Sequence, residues 1–207
     1  MSLEELNMEQ SGVNLVKAKK VLILLHGRGD RAVNFISLTN VLNLRDFAVF
    51  APQADGNTWY PYSFLADIKS NEPFLTNSLG YVDALVKYLI TKGFVSNQIY
   101  FLGFSQGACL TLEYTTRNAN RYGGIIAFTG GLIGEKLEVS RYQGDFKGTT
   151  VFIGSSDFDP HVPEYRIDES EKVIRDLGGK VNKVIYPGLG HTINEDEIEK
   201  AKEILSQ

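Results

Sequence analysis

The sequence predicts an α/β fold in three layers, a mainly parallel sheet with helices on both faces, and three observations carry that prediction. Unbroken apolar runs recur, such as Val21-Leu22-Ile23-Leu24-Leu25 and Phe47-Ala48-Val49-Phe50-Ala51. A strand buried on both faces shows no polar side to solvent, so it loses the apolar–polar alternation of a half-exposed one. Other stretches repeat apolar residues at helical spacing, most plainly Leu79, Val82, Leu85, Val86, Leu89 and Ile90. Finally, strand-like and helix-like stretches alternate from end to end, the order that crossover connections turn into a parallel sheet.

Taken in order, residues 13–16 are expected to form an antiparallel edge strand ahead of the first buried run. Phe35, Leu38 and Leu42 mark a helix, and Pro52 stops the next strand. Residues 53–77 lack a period and are rich in aromatics. The helix built on Leu79 ends at Gly93. Ile99 to Leu102 and Ile125 to Phe128 read as strands, the second followed by a Gly-rich loop, and residues 149–154 form another. Ser170, Val173, Ile174 and Leu177 mark a helix closed by Gly178-Gly179, and residues 181–186 are the last strand. Asn194 with Glu197 three residues on is a capping box for a final helix whose inner face is Ile198, Ala201 and Leu205. No repeat, low-complexity stretch or linker divides the 207 residues, so one domain spanning residues 1–207 is expected.

Composition narrows the function. Hydrophobic residues make up 43% and charged ones 22%, enough apolar content to pack a core. A net charge of −4 with no basic run argues against a nucleic-acid surface. The apolar runs are far too short to cross a bilayer. The single cysteine, Cys109, cannot form an internal disulfide and suits a reducing compartment. Residues 1–10 are acidic and polar, without the apolar centre of a signal peptide, so a cytoplasmic protein is expected.

The chemistry is concentrated in Gly103-Phe104-Ser105-Gln106-Gly107, which follows an apolar run. In G-x-S-x-G a strand turns so sharply into a helix that the serine is held in a strained conformation, its hydroxyl raised over the sheet edge. Glycines on either side let strand and helix approach closely, and the free N–H groups of the new helix favour an anion. Ligands of such sheets collect at the carboxyl ends of the strands. Asp157 and Asp159 follow one strand, and His191 lies in Pro187-Gly188-Leu189-Gly190-His191 after another. The order Ser, Asp, His is that of α/β-hydrolases. A serine hydroxyl is a weak nucleophile until an imidazole removes its proton, and a carboxylate sets the tautomer of that imidazole. Two N–H groups must then hold the oxyanion: that of Gln106 and one from His26-Gly27-Arg28-Gly29-Asp30, assigned to Arg28.

These motifs resemble the phospholipase/carboxylesterase family of small α/β-hydrolases, which includes the acyl-protein thioesterases. The resemblance rests on His26 to Asp30, Ala51-Pro52, Thr58-Trp59, Gly103 to Gly107, Asp159-Pro160-His161-Val162-Pro163 and Gly190-His191. It implies a single-domain α/β-hydrolase fold and serine-dependent hydrolysis of small-molecule esters or thioesters, with no cofactor, metal or stable membrane insertion. A homodimer is an expectation of the family analogy alone. The family acid matches Asp159, in D-x-x-V-P. Asp157 stays the second choice, because Ser155-Ser156 stands where the family usually has His-Gly.

The expected catalytic set is therefore Ser105, Asp159 and His191, with Arg28 and Gln106 as oxyanion donors. Trp59, Tyr60, Leu132 and Ile133 are assigned to the substrate pocket, which such aromatic and aliphatic side chains usually line. Phe64 and Phe74 suit either core or pocket. His26 reads as an anchor of the oxyanion loop and Cys109 as core. Asp157, Asp159 and His161 are spaced like metal ligands, but three donors on one short loop without a fourth make a weak site, so none is expected. The leading function is a carboxylesterase for short- to medium-chain esters. Thioesterase and lysophospholipase activities share the chemistry. A hydrolase-fold protein that binds a small molecule without turnover is the alternative of another class.

Overall fold

The computed structural model describes residues 7–207. The signal-peptide reading falls largely on residues 1–6, outside the described residues. Among the described residues, seven strands form one sheet: β1 (Met8–Gly12), β2 (Lys20–Leu25), β3 (Phe47–Pro52), β4 (Ile99–Phe104), β5 (Gly124–Phe128), β6 (Thr150–Ser156) and β7 (Lys180–Tyr186). Their order is β1-β3-β2-β4-β5-β6-β7, with β1 antiparallel to β3 and every other pair parallel. The sheet is thus the mainly parallel one that the alternation of strands and helices predicts, in keeping with the α/β-hydrolase fold that the family resemblance implies.

The helices are α1 (Ala32–Phe35), α2 (Ile68–Asn71), α3 (Phe74–Thr91), α4 (Gln106–Arg117), α5 (Glu164–Asp176) and α6 (Glu195–Leu205). Two clusters of buried side chains follow from the two faces of the sheet. Val21, Ile23, Phe101 and Ile125 point into the cluster shared with Leu79, Val82 and Leu110. Leu22, Leu24, Leu102 and Ile126 point into that shared with Phe35, Ala201 and Leu205. Successive residues of a strand face opposite sides, so an unbroken apolar run feeds both layers at once. Cys109 is buried in the first cluster, as expected.

Four sequence expectations shift. The antiparallel edge strand is Met8–Gly12, not residues 13–16. There Asn14 accepts the Val16 N–H through its side chain and that of Lys17 through its carbonyl, a local turn that replaces strand pairing. Pro52 belongs to β3, where it pairs with Met8. The helix around Phe35 is one α-turn followed by a 3-10 segment, Ile36–Asn40. Phe74 and Ile90 lie about half exposed on α3.

Candidate active site

The site is fixed by the register of the carboxyl ends. Leu25 pairs with Gly103, Phe104 with Phe128, Phe128 with Gly154, and Ser156 with Tyr186. The loops bearing Arg28, Ser105, Asp159 and His191 therefore leave one rim of the sheet.

Between β4 and α4 the backbone turns at Ser105, whose φ of 53 and ψ of −119 are strained for a residue with a Cβ. The Ser105 N–H donates to the Phe128 carbonyl at 2.9 Å, and its carbonyl accepts from Cys109 at 3.0 Å, so both ends of the turn are held. Gly103 and Gly107 permit it. A Cβ on Gly103 would meet the Gly107 carbonyl oxygen at 2.3 Å, and one on Gly107 would meet that of Leu25 at 2.0 Å.

Ser105 Oγ lies 2.8 Å from His191 Nε2, and His191 Nδ1 lies 2.7 Å from Asp159 Oδ2. The other carboxylate oxygen of Asp159 accepts the N–H groups of His161 at 2.8 Å and Val162 at 2.9 Å, and its side chain is fully buried. Asp157 instead accepts the Gly188 N–H at 2.7 Å, and the Ser156 hydroxyl accepts that of Gly190 at 3.0 Å. Both brace the His191 loop without touching the imidazole. The structure thus brings Asp159, and not Asp157, to His191. The His191 ring is further flanked by Phe104, at 5.3 Å between centroids, and His161, at 5.0 Å. This hydrogen-bonded order lets an imidazole take the Ser105 proton while the carboxylate holds its far nitrogen protonated.

The loop after β2 is equally built. His26 is fully buried; its Nδ1 faces the Gly27 carbonyl at 2.8 Å, and its Nε2 accepts the Ala54 N–H at 3.2 Å. Burial lowers its pKa, favouring the neutral ring that this acceptor role needs. The Gly29 N–H donates to the Asn57 carbonyl at 2.7 Å. Among the described residues, the main-chain N–H groups of Arg28 and Gln106 have no hydrogen-bond partner. Gln106 opens α4, where such donors are free to meet a negative charge.

A cleft of about 700 Å³ opens beside Ser105, its lining including Tyr60, Tyr62 and Phe64 from one loop and His161 and Val162 from another. Cys109 and Tyr60 also border it, and burial pushes the Cys109 thiol up to about 12 and the Tyr60 phenol well above its ordinary value, so neither ionises at neutral pH.

Trp59, Leu132 and Ile133 are not in the lining. Trp59 is buried beneath the loop, its indole N–H donating to the His26 carbonyl at 2.8 Å. The Leu132 N–H donates to Ser170 Oγ at 2.9 Å, and that of Ile133 to the buried Glu113 at 2.9 Å. Arg166, itself buried, donates to the Leu132 and Glu135 carbonyls. These anchors draw Leu132 and Ile133 fully into the core. The lining residues that sequence reasoning passed over are chiefly Tyr62, Ser63, Leu65 and Val162. The signal for the first two is the aromatic density of the segment from Trp59 to Phe64.

The sequence profile of the phospholipase/carboxylesterase family matches residues 13–207. The chain belongs to the phospholipase/carboxylesterase family. Among curated relatives, acyl-protein thioesterase 1 of Saccharomyces cerevisiae is 30% identical over 205 residues, 88% of this chain and 89% of that one. Among solved structures, a phospholipase/carboxylesterase from Dyadobacter fermentans is 50% identical with a TM-score of 0.96, covering 98% of this chain and 97% of its own. The esterase PE8 is 25% identical with a TM-score of 0.82, covering 97% and 98%. The family is one of hydrolases, with thioesterases and carboxylesterases among its members. Among the described residues, no helix is long and apolar enough to cross a membrane.

Proposed function

We infer that this chain is a serine carboxylesterase that cleaves short- to medium-chain esters through an acyl-enzyme. The observation that carries the reading is the continuous hydrogen-bonded path from Ser105 Oγ through the His191 ring to Asp159, on a serine held at positive φ. His191 Nε2 removes the hydroxyl proton as Ser105 Oγ bonds to the acyl carbon. The oxyanion is held by the Arg28 and Gln106 amides. His191 then returns the proton to the leaving alcohol. Water, deprotonated by the same nitrogen, attacks the acyl-enzyme and restores Ser105. Asp159 orients the ring throughout, and the aromatic wall of Tyr60, Tyr62 and Phe64 supports an apolar acyl group.

Thioester hydrolysis is the second reading, supported by the yeast acyl-protein thioesterase. It needs the same groups with a thiolate as leaving group. Intact mass after incubation with a fluorophosphonate, on wild type and on Ser105→Ala, tests the common chemistry. One adduct confined to wild type is expected; no adduct on folded protein replaces this reading with that of a binding protein without turnover. Rates on p-nitrophenyl esters, acyl-CoA and lysolipid then separate ester from thioester and lysophospholipid cleavage.

A further inference from the structure

The side chains of the two residues assigned as oxyanion donors fasten on one and the same loop. From Arg28, Nη1 donates to Thr58 Oγ1 at 3.0 Å and to the Pro61 carbonyl at 2.8 Å, while Nη2 donates to the Tyr62 carbonyl at 2.6 Å. From Gln106, Oε1 accepts the Trp59 N–H at 3.0 Å and Nε2 donates to the Tyr60 carbonyl at 2.8 Å. The two sets meet at one hydroxyl. Thr58 Oγ1 accepts from Arg28, and its proton is shared between Gln106 Oε1 at 3.2 Å and the Tyr60 carbonyl at 3.0 Å.

The loop held in this way continues directly into the wall of the cleft, residues 60–65. Every carbonyl from Tyr60 to Tyr62 is tied to Arg28 or Gln106. A displacement of the wall is therefore passed through these short bonds to the two residues whose amides face the oxyanion. Oxyanion donors work only when their positions are fixed within a few tenths of an ångström, so what steadies the loop also steadies the transition state.

We propose that Thr58 is a positioning residue that couples an acyl chain packed against Tyr60, Tyr62 and Phe64 to the alignment of the Arg28 and Gln106 amides. The proposal rests on the esterase reading. It makes chain length act on kcat as well as on KM: an acyl group that fills the wall is turned over faster, and not merely held more tightly.

The test compares p-nitrophenyl acetate, too short to cover the wall, with p-nitrophenyl octanoate, on wild type, Thr58→Val and Thr58→Ser. Valine keeps the shape and removes the hydroxyl; serine restores it. Wild type is expected to show a higher kcat on octanoate. Thr58→Val reduces the octanoate-to-acetate ratio of kcat about tenfold, the kinetic equivalent of one hydrogen bond felt in the transition state, and Thr58→Ser recovers most of it. The protein's only tryptophan, Trp59, sits inside the coupled loop, and its emission on addition of octanoate is expected to shift in wild type and Thr58→Ser but not in Thr58→Val. Equal loss on both substrates, or an unchanged ratio in folded Thr58→Val, reduces Thr58 to a structural tie and overturns the coupling. So does a wild type whose kcat ignores chain length. A wild type that takes no fluorophosphonate adduct fails at the esterase reading itself, and the coupling falls with it.

Discussion

His191 Nε2 lies 2.8 Å from Ser105 Oγ although 86 residues separate them in the chain. The contact is made by two loops that leave the same rim of the sheet, with the fifth and sixth strands and the Asp159 loop between them. Neither loop is free to drift. Ser105 is pinned through Phe128 and Cys109, and the His191 loop through Ser156 and Asp157.

Asp159→Asn tests the far side of that imidazole. The amide still offers an oxygen to the His161 and Val162 N–H groups, so the loop is expected to keep its fold. Its NH₂, turned to His191, donates where the carboxylate accepted, which forces the proton onto Nε2 and removes the base from Ser105. A loss of roughly 10⁴ in kcat is expected. Asp157→Asn keeps an acceptor for the Gly188 N–H and touches no part of the imidazole, so its loss is expected to stay under about tenfold. Steady-state kinetics on one activated ester, with circular dichroism on both variants, makes the comparison. A reversed order would exchange the roles of the two aspartates.

The parts of this site that the sequence discloses are those fixed by local backbone needs. Gly103 and Gly107 show the elbow because no other residue fits there, and the buried strands show themselves because both faces are apolar. What the sequence conceals is set by distant hydrogen bonds. Leu132 and Ile133 follow a Gly-rich turn and read as pocket lining, yet Glu113, 20 residues before Ile133, and Arg166, 34 residues after Leu132, pull their backbone inward. Trp59 is likewise turned under its loop by the His26 carbonyl. The edge strand Met8–Gly12 is invisible for a different reason: it pairs through backbone alone, and its mostly exposed side chains carry no pattern.

The glycines of the elbow give a stability prediction with an internal control. Gly107→Ala would set a Cβ 2.0 Å from the Leu25 carbonyl oxygen and 2.5 Å from that of His26, backbone atoms at the end of β2 and the start of the loop that follows it. Relief requires α4 to move off the sheet, and a destabilisation of at least about 3 kcal/mol is expected. Gly80 lies exposed within α3, and a Cβ there meets nothing within 4 Å. Gly80→Ala is expected to stabilise by about 0.5–1 kcal/mol, because alanine loses less backbone freedom on entering a helix. Urea unfolding of the two variants beside wild type measures both. A mild Gly107→Ala would mean that the elbow is looser than its contacts describe.

Glu197 gives the protein's stability a pH dependence of its own. Its side chain is buried at the start of α6, where Oε2 accepts the Asn194 N–H at 3.0 Å, completing the capping box. Oε1 has no partner among the described residues and lies over Gly154, where a Cβ would approach it to 2.1 Å. Burial, with a smaller contribution from Asp196, raises the carboxyl from 4.5 to about 7. The folded state therefore holds this proton more tightly than the unfolded chain. The resulting stabilisation is fully present below pH 4.5 and is lost as pH rises through 7, amounting to about 3 kcal/mol at one pKa unit per 1.4 kcal/mol. Glu197→Gln retains a carbonyl oxygen for the Asn194 N–H and cannot ionise. Between pH 4 and pH 8 the unfolding free energy of the variant is expected to gain on that of wild type by that amount, read from urea midpoints at each pH. A difference independent of pH would mean that the carboxylate is solvated in the folded protein, and that the gap over Gly154 admits water.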